Sequence, residues 1–279
     1  RQQKPELIYA RISGYGQTGP YASKPGFASV CEAFSGFRYL TGMPGETPVR
    51  SNLSIGDSIS GIHAAFGLCL ALIGQLRGTH AAGQTVDVAI YESMFNLLEA
   101  VVPEFDGAGV VRQPSGTTIT GVVPTNTFRC ADSKFIVIGG NGDSIFKRLM
   151  VVVGRSDMAA DSKYDSNDKR VVHEKEIDLE LAKWCLSLDS TLALEQLAAA
   201  RVPSGPILSV KEMMQDPHYQ ARGMFEQVEV NGKSLAIPAL MPKLADTPGE
   251  TLWPGGDLGS HNAEILGELL SLGAQELAQ

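Results

Sequence analysis

The residues with the clearest chemical potential are Ser54-Ile55-Gly56-Asp57-Ser58, which lead into a nearly uncharged apolar segment, residues 64–76. This segment predicts a helix that is buried on most sides. The first turn of such a helix offers unpaired backbone N–H groups and a partial positive charge, which favour an anion. Two interpretations of Asp57 follow. It is either a helix N-cap, for which aspartate is a preferred residue, or a nucleophilic carboxylate that attacks an activated acyl group.

A second candidate site follows residues 7–12, a short apolar run that predicts a buried parallel strand. The next residues, SGYGQTGP at 13–20, contain three glycines and a proline and therefore form a loop. Ligands of open α/β sheets bind beyond the carboxyl ends of strands, so the loop is either a tight turn or a ligand site. It lacks a dinucleotide fingerprint. The candidate binding residues are Ser13, Gly14, Tyr15, Gly16 and Gln17.

Two further glycine-rich stretches are candidates for substrate binding. Residues 104–124 interrupt the periodic pattern, include Gly116 and Gly121 and predict a domain boundary, for which a connector without a further role is the favoured interpretation. Residues 139–144, which include Gly140, lead into a predicted helix, where a glycine loop can bind phosphate or carboxylate. They lack the lysine of a P-loop, and a capped strand-to-helix turn is the favoured interpretation there.

Composition narrows the function classes. The chain has 279 residues and a net charge of −8, and it has no basic stripe, so we expect no nucleic-acid partner. The histidines are scattered without metal-ligand spacing, and His63 is predicted to be a core residue, so we expect no metal. The apolar run at 64–76 is interpreted as too short and too interrupted to span a bilayer, and we expect no membrane partner and no signal peptide.

The four cysteines are widely spaced, without a CxxC pair. Cys69 and Cys185 lie in apolar helical patterns and are predicted to be reduced core residues. Because such thiols indicate a reducing compartment, we expect the cytoplasm, or the mitochondrial matrix in a eukaryote.

Alternating strands and helices position the candidate residues. We predict a strand at 84–90, a helix at 91–102 that stops before Pro103, and an amphipathic helix at 27–37. On the latter, Val30, Ala33 and Phe34 are predicted to point inward and Glu32 to be solvated. Hairpins are predicted at 125–138 and, with an Asn-Gly turn, at 224–237. This order predicts an α/β fold with a smaller α+β domain.

Six stretches, in one order along nearly the whole chain, resemble the family III CoA-transferases. They are ISGYGQTGP at 12–20, IGDS at 55–58, GQTVDV at 83–88, VPSGP at 202–206, DPHYQARGM at 216–224 and LGSH at 258–261. One such stretch would be a weak signal, whereas six in order are a strong one.

The resemblance implies a function and a mechanism. Asp57 falls on the family's nucleophile, which takes the acyl group from an acyl-CoA donor as a mixed anhydride, then forms an aspartyl-CoA thioester, and passes CoA to a small carboxylic acid. Water must be excluded, because it would hydrolyse the anhydride. The resemblance also places the loop at 13–17 near CoA, and the segment from Gly116 to Gly121 where some relatives carry a mobile cover loop. It implies coenzyme A, as acyl-CoA, and no metal.

The resemblance further implies an open, mostly parallel Rossmann-like sheet and an interlocked homodimer. We therefore expect residues 1–108 to be part of a large CoA-binding α/β domain, and 109–124 to be a linker. Residues 125–222 would form the small α+β domain, and 223–279 a return segment whose last helix packs on the large domain.

Two alternatives remain. One is an α-methylacyl-CoA racemase, which pairs the matching aspartate with a histidine in a Gly-His-Asp run. Here the run is Gly26-Phe27-Ala28, and phenylalanine exchanges no proton. The other alternative is a truncated, non-catalytic remnant, because the chain begins with Arg1 and the family's N-terminal part is expected to be missing.

Overall fold

A computed structural model describes residues 3–80, 82–273 and 276. The chain divides into two compact units, Arg1–Pro206 and Ile207–Gln279. The finer division into domains stays a prediction, and its outer ends, residues 1 and 279, lie outside the described residues.

The first part of unit one has a parallel strand pair. Strand β1 (Tyr9–Ser13) pairs with β2 (Thr85–Ala89), with Ser13 opposite Ala89. Helices α1 (Ala28–Phe34) and α2 (Ile55–Leu76) lie between them in sequence. The predicted parallel orientation of the first strand is thus confirmed, whereas its predicted burial is wrong, since Tyr9 and Ile12 are exposed. Both carboxyl ends lie at one edge. In the described residues this sheet has two strands.

Helix α2 is far more exposed than the sequence predicts. Its buried residues are Gly56, Ser60, Ala64 and Ala71, which form one narrow stripe of small side chains. Ile62, Phe66 and Leu76 are 62%, 61% and 77% exposed. The expectation of a helix buried on most sides is wrong, because the surface presented by β1, β2 and the adjacent helices covers only that stripe.

The expectation that the apolar run is too short for a bilayer is also wrong. Helix α2 has 22 residues, and its length and composition alone would allow it to cross a membrane. In the most apolar 18-residue stretch of α2, 17% of the residues are buried. One such helix is weak evidence for membrane insertion, since core helices of soluble proteins have the same length and composition.

Several smaller predictions in this part are corrected. Val30, Ala33 and Phe34 of α1 are exposed, and the buried residues are Ala28, Cys31 and Glu32. Cys69 is exposed, whereas Cys185 is buried as expected.

The helix predicted at 91–102 is two helices, α3 (Ile90–Phe95) and α4 (Val101–Ala108). Pro103 lies in the first turn of α4, because proline is tolerated where the backbone N–H needs no intrahelical partner.

The second part of unit one is a three-stranded antiparallel sheet packed against helices. Its strands are β3 (Thr125–Arg129), β4 (Phe135–Gly139) and β5 (Ser204–Pro206), in the order β3-β4-β5. The helices are α5 (Asp143–Val152), α6 (Ser156–Ala160), α7 (Asn167–Val172), α8 (Glu174–Leu186) and α9 (Ser190–Ala199). The predicted hairpin is confirmed. Ile136, Ile138, Leu149, Ile177 and Leu181 are fully buried in this core.

Unit two begins with α10 (Val210–Gln215) and α11 (Pro217–Ala221). The hairpin of β6 (Phe225–Val230) and β7 (Lys233–Pro238) follows, and a π-helix spans Ala263–Leu269. The predicted Asn-Gly turn is confirmed: Asn231 and Gly232 have φ angles of 51° and 71°, the positive values that a two-residue hairpin turn requires.

Asp178 on α8 gives a pH-dependent stability prediction. One carboxylate oxygen accepts a hydrogen bond from Asn126 Nδ2 at 2.7 Å, while Oδ1 is buried without a partner. Burial raises the pKa of Asp178 above 3.8. The folded state therefore holds this proton to higher pH than the unfolded state, and stability falls as pH rises through that window. In Asp178→Asn this dependence is removed.

We expect the unfolding free energy of Asp178→Asn, relative to the unchanged protein, to increase between pH 4 and 7. Urea unfolding at several pH values measures this difference. The exposed Asp168→Asn serves as the control. A constant difference for Asp178→Asn across the range would contradict the prediction.

Candidate active site

Asp57 is the third residue of α2, two residues beyond the start of the helix, and is not its N-cap. Ser54 occupies the N-cap position and makes no side-chain capping bond. Within the described residues, the Asp57 side chain is exposed and has no hydrogen-bond partner. The N-cap interpretation of Asp57 is therefore wrong, because its carboxylate makes no capping hydrogen bond.

The backbone amides around Asp57 differ in whether they have a hydrogen-bond acceptor. The Gly56 N–H donates to Glu32 Oε1 at 3.2 Å. In the described part of the chain, the N–H groups of Ile55 and Asp57 have no acceptor, as expected for the first turn of a helix. These two donors, with the positive end of the helix dipole, can stabilise negative charge that develops beside Asp57.

The Glu32 side chain is buried at the start of α2, contrary to the sequence prediction. Its side chain is 1% exposed, and Oε2 lies 3.6 Å from Arg50 Nε. The prediction of a solvated carboxylate is wrong, because residues 28, 31 and 32 of α1 form its buried face. A methyl group on Gly56 would lie 3.4 Å from Glu32 Cγ and 3.1 Å from Ile90 Cγ2, so a larger residue at position 56 would require Ile90 to shift by a few tenths of an ångström.

The loop at residues 13–17 is held by its own hydrogen bonds. The Gly16 N–H donates to Ser13 Oγ at 3.0 Å, and the Gln17 N–H donates to Asp87 Oδ2 at 3.1 Å. Tyr91 N–H donates to the Gly14 carbonyl at 3.3 Å. The amides of Gly16 and Gln17 are therefore already paired, whereas the Gln17 side chain has no partner in the described residues.

Cys31 connects this loop to the start of α2. Its thiol donates to the Gly14 carbonyl at 3.3 Å. Burial, followed by the negative charges of Asp57 and Glu32, raises the pKa of Cys31 and keeps the thiol protonated. Gly14 and Gly26 are in backbone contact, since a methyl group on Gly14 would lie 3.0 Å from Gly26 Cα. The structure thus brings Asp57 and the loop at 13–17 to the same end of the parallel strands.

An aromatic cluster forms one side of the loop. The Tyr15 ring centroid is 5.3 Å from that of Phe34 and 6.0 Å from those of Tyr21 and Tyr91. These rings fix the position of Tyr15, because edge-on aromatic packing is directional. Tyr15 is a residue that the sequence predicts for this site, whereas Asp87 and the rings around Tyr15 are not, although Asp87 lies in the GQTVDV stretch at 83–88.

Gly116 and Gly121 lie in other contacts. Gly116 N–H donates to the Gly42 carbonyl at 2.9 Å, and the Gly121 carbonyl accepts from Asn167 Nδ2 at 2.8 Å. A cavity of about 330 Å³ is lined by Arg112, Ser115 and Thr118 of this segment, together with residues of the turn near Leu40. No hydrogen bond connects either glycine to Asp57 in the described residues, and a cover-loop role stays a prediction.

Gly140 is buried, and its N–H donates to the Pro124 carbonyl at 2.8 Å. The loop that contains it surrounds Arg170, whose Nη2 contacts the Asn141 carbonyl and Asp143 Oδ1. The contacts of this loop are therefore those of a turn built around a buried guanidinium. The N-cap of helix α5, which follows this loop, is Gly142 and not Asp143 or Ser144.

Asp57 does not line the cavity of about 330 Å³ described above or a second cavity of about 350 Å³. The cavity of about 350 Å³ lies beside β2 and is lined by His63, Phe66, Asp87 and Glu92 among others. Among the residues that the structure describes, no group of three histidine, cysteine or acidic side chains could hold a metal ion. Asp57 is thus a free carboxylate on an open surface.

Comparisons with known proteins identify relatives. The model of CoA-transferase family III matches residues 1–262. The chain is 38% identical over 98% of its length to succinyl-CoA–D-citramalate CoA-transferase of Chloroflexus aurantiacus, covering 68% of that protein. It is 36% identical to the alpha subunit of succinyl-CoA–L-malate CoA-transferase of Chloroflexus aurantiacus, with 98% and 64% covered. The succinate–glutarate CoA-transferase of Agrobacterium fabrum is 31% identical, with 96% and 67% covered.

A solved structure agrees with the fold. The crystal structure of a CAIB/BAIF family protein from Brucella suis matches with a TM-score of 0.78 and 26% identity, covering 95% of this chain and 68% of that one. The mixed α/β fold is therefore that of this group. The chain spans 64–68% of the length of these relatives.

Proposed function

The chain belongs to the family III CoA-transferases, and from this premise we propose that the protein moves CoA from an acyl-CoA to a small carboxylic acid, with Asp57 as the nucleophile. The observation that carries the proposal is the free Asp57 carboxylate beside two unpaired helix amides, at the edge where the loop at 13–17 lies. A carboxylate in this position can attack a thioester and form an activated intermediate.

The proposed reaction needs neither water nor ATP. An Asp57 carboxylate oxygen attacks the thioester carbonyl carbon, the C–S bond breaks, and its electron pair leaves on the CoA thiolate. The thiolate attacks Asp57 Cγ and releases the donor acid as its carboxylate. The acceptor carboxylate then attacks Cγ and displaces the thiolate, which finally attacks the acceptor carbonyl and frees Asp57. The amides of Ile55 and Asp57 stabilise the oxyanions formed in these steps.

We propose succinyl-CoA as the donor and a dicarboxylic acid of four or five carbons as the acceptor. The support is the names of the relatives, which combine succinyl-CoA or succinate with citramalate, malate or glutarate. A screen of acceptors with succinyl-CoA and acetyl-CoA tests this, using the longest natural polypeptide that contains the chain. Equal rates with monocarboxylic and dicarboxylic acceptors would contradict the substrate proposal.

A covered site is part of the proposal, because the anhydride must be protected from water. Asp57 is exposed here, and apolar side chains of α2 are exposed beside it. We propose that these exposed surfaces are covered in two ways. One cover is an open, mostly parallel sheet, and the other is the second subunit of a homodimer. Light scattering of the longest natural polypeptide measures the oligomeric state, and a monomer would contradict this. Because all four cysteines are free, we propose a cytoplasmic location.

The exposed position of Asp57 also favours one second candidate, a non-catalytic remnant. In that case the chain alone binds CoA weakly or not at all, whereas a longer polypeptide turns over. Activity assays of both forms separate the two candidates. The racemase alternative has no such support, since Phe27 is 82% exposed at the start of α1 and cannot exchange a proton.

Asp87→Ala is expected to raise the KM for acyl-CoA about tenfold, which corresponds to roughly 1.4 kcal/mol of binding. The substitution removes the acceptor for the Gln17 N–H, so the proposed CoA-binding loop loses its connection to β2. Asp87→Asn keeps an acceptor oxygen and serves as the matched control. Steady-state kinetics measure both variants. An unchanged KM in Asp87→Ala would show that this contact does not support binding.

A further inference from the structure

We propose that Glu32 is a positioning residue for Asp57: its buried carboxylate accepts the Gly56 N–H and thereby holds the first turn of α2 so that the Asp57 side chain points outward without a partner. This inference rests on the proposed function, since it assigns a role in presenting the same nucleophile.

The contacts around Glu32 hold its carboxylate in a defined, buried position. Glu32 is fully buried, its Oε1 is 3.2 Å from Gly56 N, and a methyl group on Gly56 would lie 3.4 Å from its Cγ. Buried carboxylates are rare and need compensating partners. Here the partners are one helix amide and Arg50, whose Nε lies 3.6 Å from Oε2.

The choice of acceptor has a consequence for Asp57. At the start of a helix, side chains near the N-cap usually accept the free amides themselves. Ser54 accepts none of them here, and Glu32 takes the amide of Gly56 from a different helix. Asp57 is consequently not recruited as a cap. Its carboxylate stays available, and the unpaired amides of Ile55 and Asp57 stay beside it.

If Glu32 has a purely structural role, a different result is expected. If Glu32 only stabilised the fold, its replacement would lower stability and leave the kcat of the folded protein unchanged. If it positions Asp57, loss of the acceptor lowers kcat and leaves the KM for acyl-CoA unchanged, because the binding loop at 13–17 does not contact Glu32 through any hydrogen bond in the described residues. Misplacement of a reacting group by about 1 Å costs on the order of 10²-fold in rate.

The test compares two replacements of similar size in the longest natural polypeptide, assayed with succinyl-CoA and the best acceptor of the screen. Glu32→Gln keeps an acceptor oxygen, and we expect its kcat to stay within about threefold of the unchanged protein. Glu32→Met fills the same space without an acceptor, and we expect kcat to fall about 10²-fold with an unchanged KM. A wild-type kcat in Glu32→Met, or an equal fall in both variants, overturns the inference.

Two further measurements keep the test decisive. If Glu32→Met does not fold, Glu32→Asp withdraws the acceptor by one methylene while retaining the charge, and the same fall in kcat is expected. Hydrogen exchange of the Gly56 amide in the unchanged protein should be slow, and rapid exchange would overturn the inference without any variant. Asp57→Ala is assayed alongside: activity in that variant refutes the proposed function, whereas normal kcat in Glu32→Met with an inactive Asp57→Ala refutes only the role of Glu32.

Discussion

Asp57→Ala is expected to lower CoA transfer by about 10⁴-fold or more, the size of loss seen when an enzyme loses a residue of its nucleophilic machinery. The alanine cannot form the anhydride, so neither half of the exchange proceeds. The fold should be unaffected, because the Asp57 side chain is exposed and makes no hydrogen bond in the described residues. Steady-state transfer from succinyl-CoA measures the effect, with thermal unfolding as the check of integrity.

Chemical trapping of the covalent intermediate tests the same assignment of Asp57 without measuring turnover. Hydroxylamine added with acyl-CoA should convert the acyl-aspartate or aspartyl-CoA intermediate into a hydroxamate on Asp57, which peptide mass spectrometry locates. Asp106→Ala is the matched control, since Asp106 is an exposed carboxylate on α4. Full transfer activity in Asp57→Ala, or a hydroxamate on another residue alone, would refute the nucleophile assignment.

The sequence predicted those parts of the site that depend on local rules. The parallel strand at 7–12 and the loop after it follow from an apolar run ending in glycines. The Asn231-Gly232 turn follows from its φ requirement. The ends of parallel strands share one edge, so the proximity of Asp57 to the loop at 13–17 follows once both are recognised as lying beside the same strand pair.

The sequence did not predict features that depend on which surfaces meet. A charged residue at position 32 predicts a solvated side chain, because isolated carboxylates are rarely buried. The period of the helix, however, puts residues 28, 31 and 32 on one face, and a single backbone amide from α2 compensates the carboxylate. The apolar sequence of helix α2 predicts burial, yet most of the helix is exposed. An apolar surface favours contact with another surface, but the sequence does not show which surface that is.

Arg170 is the clearest case of this kind. The segment 161–170 is rich in charged residues, which favours an exposed loop, yet the Arg170 side chain is fully buried. Nε donates to the Val123 carbonyl and Nη1 to the Tyr164 carbonyl, both at 3.0 Å, while Nη2 binds Asp143 Oδ1 at 2.8 Å. One guanidinium therefore connects the segment before β3, the turn before α7 and the start of α5. Only a planar group with several donors can satisfy these acceptors together.

Arg170→Met is therefore expected to destabilise unit one by about 3–5 kcal/mol, because it leaves buried carbonyls without donors and removes the partner of Asp143. Urea unfolding followed by circular dichroism measures the loss. Arg170→Lys should recover only a small part of it, since an ammonium group reaches one or two of the acceptors and cannot match the fork of the guanidinium.

Arg129→Met separates burial from the mere loss of an arginine. Arg129 is exposed at the end of β3 and donates to Ser133 Oγ within its own hairpin, so its replacement should change the unfolding free energy by less than about 0.5 kcal/mol. Similar losses in Arg129→Met and Arg170→Met would mean that net charge, and not the buried network, stabilises this part of the chain. A large loss confined to Arg170→Met would instead assign the glycine loop at 139–144 to holding the guanidinium, because Asn141 and Asp143 supply two of its acceptors.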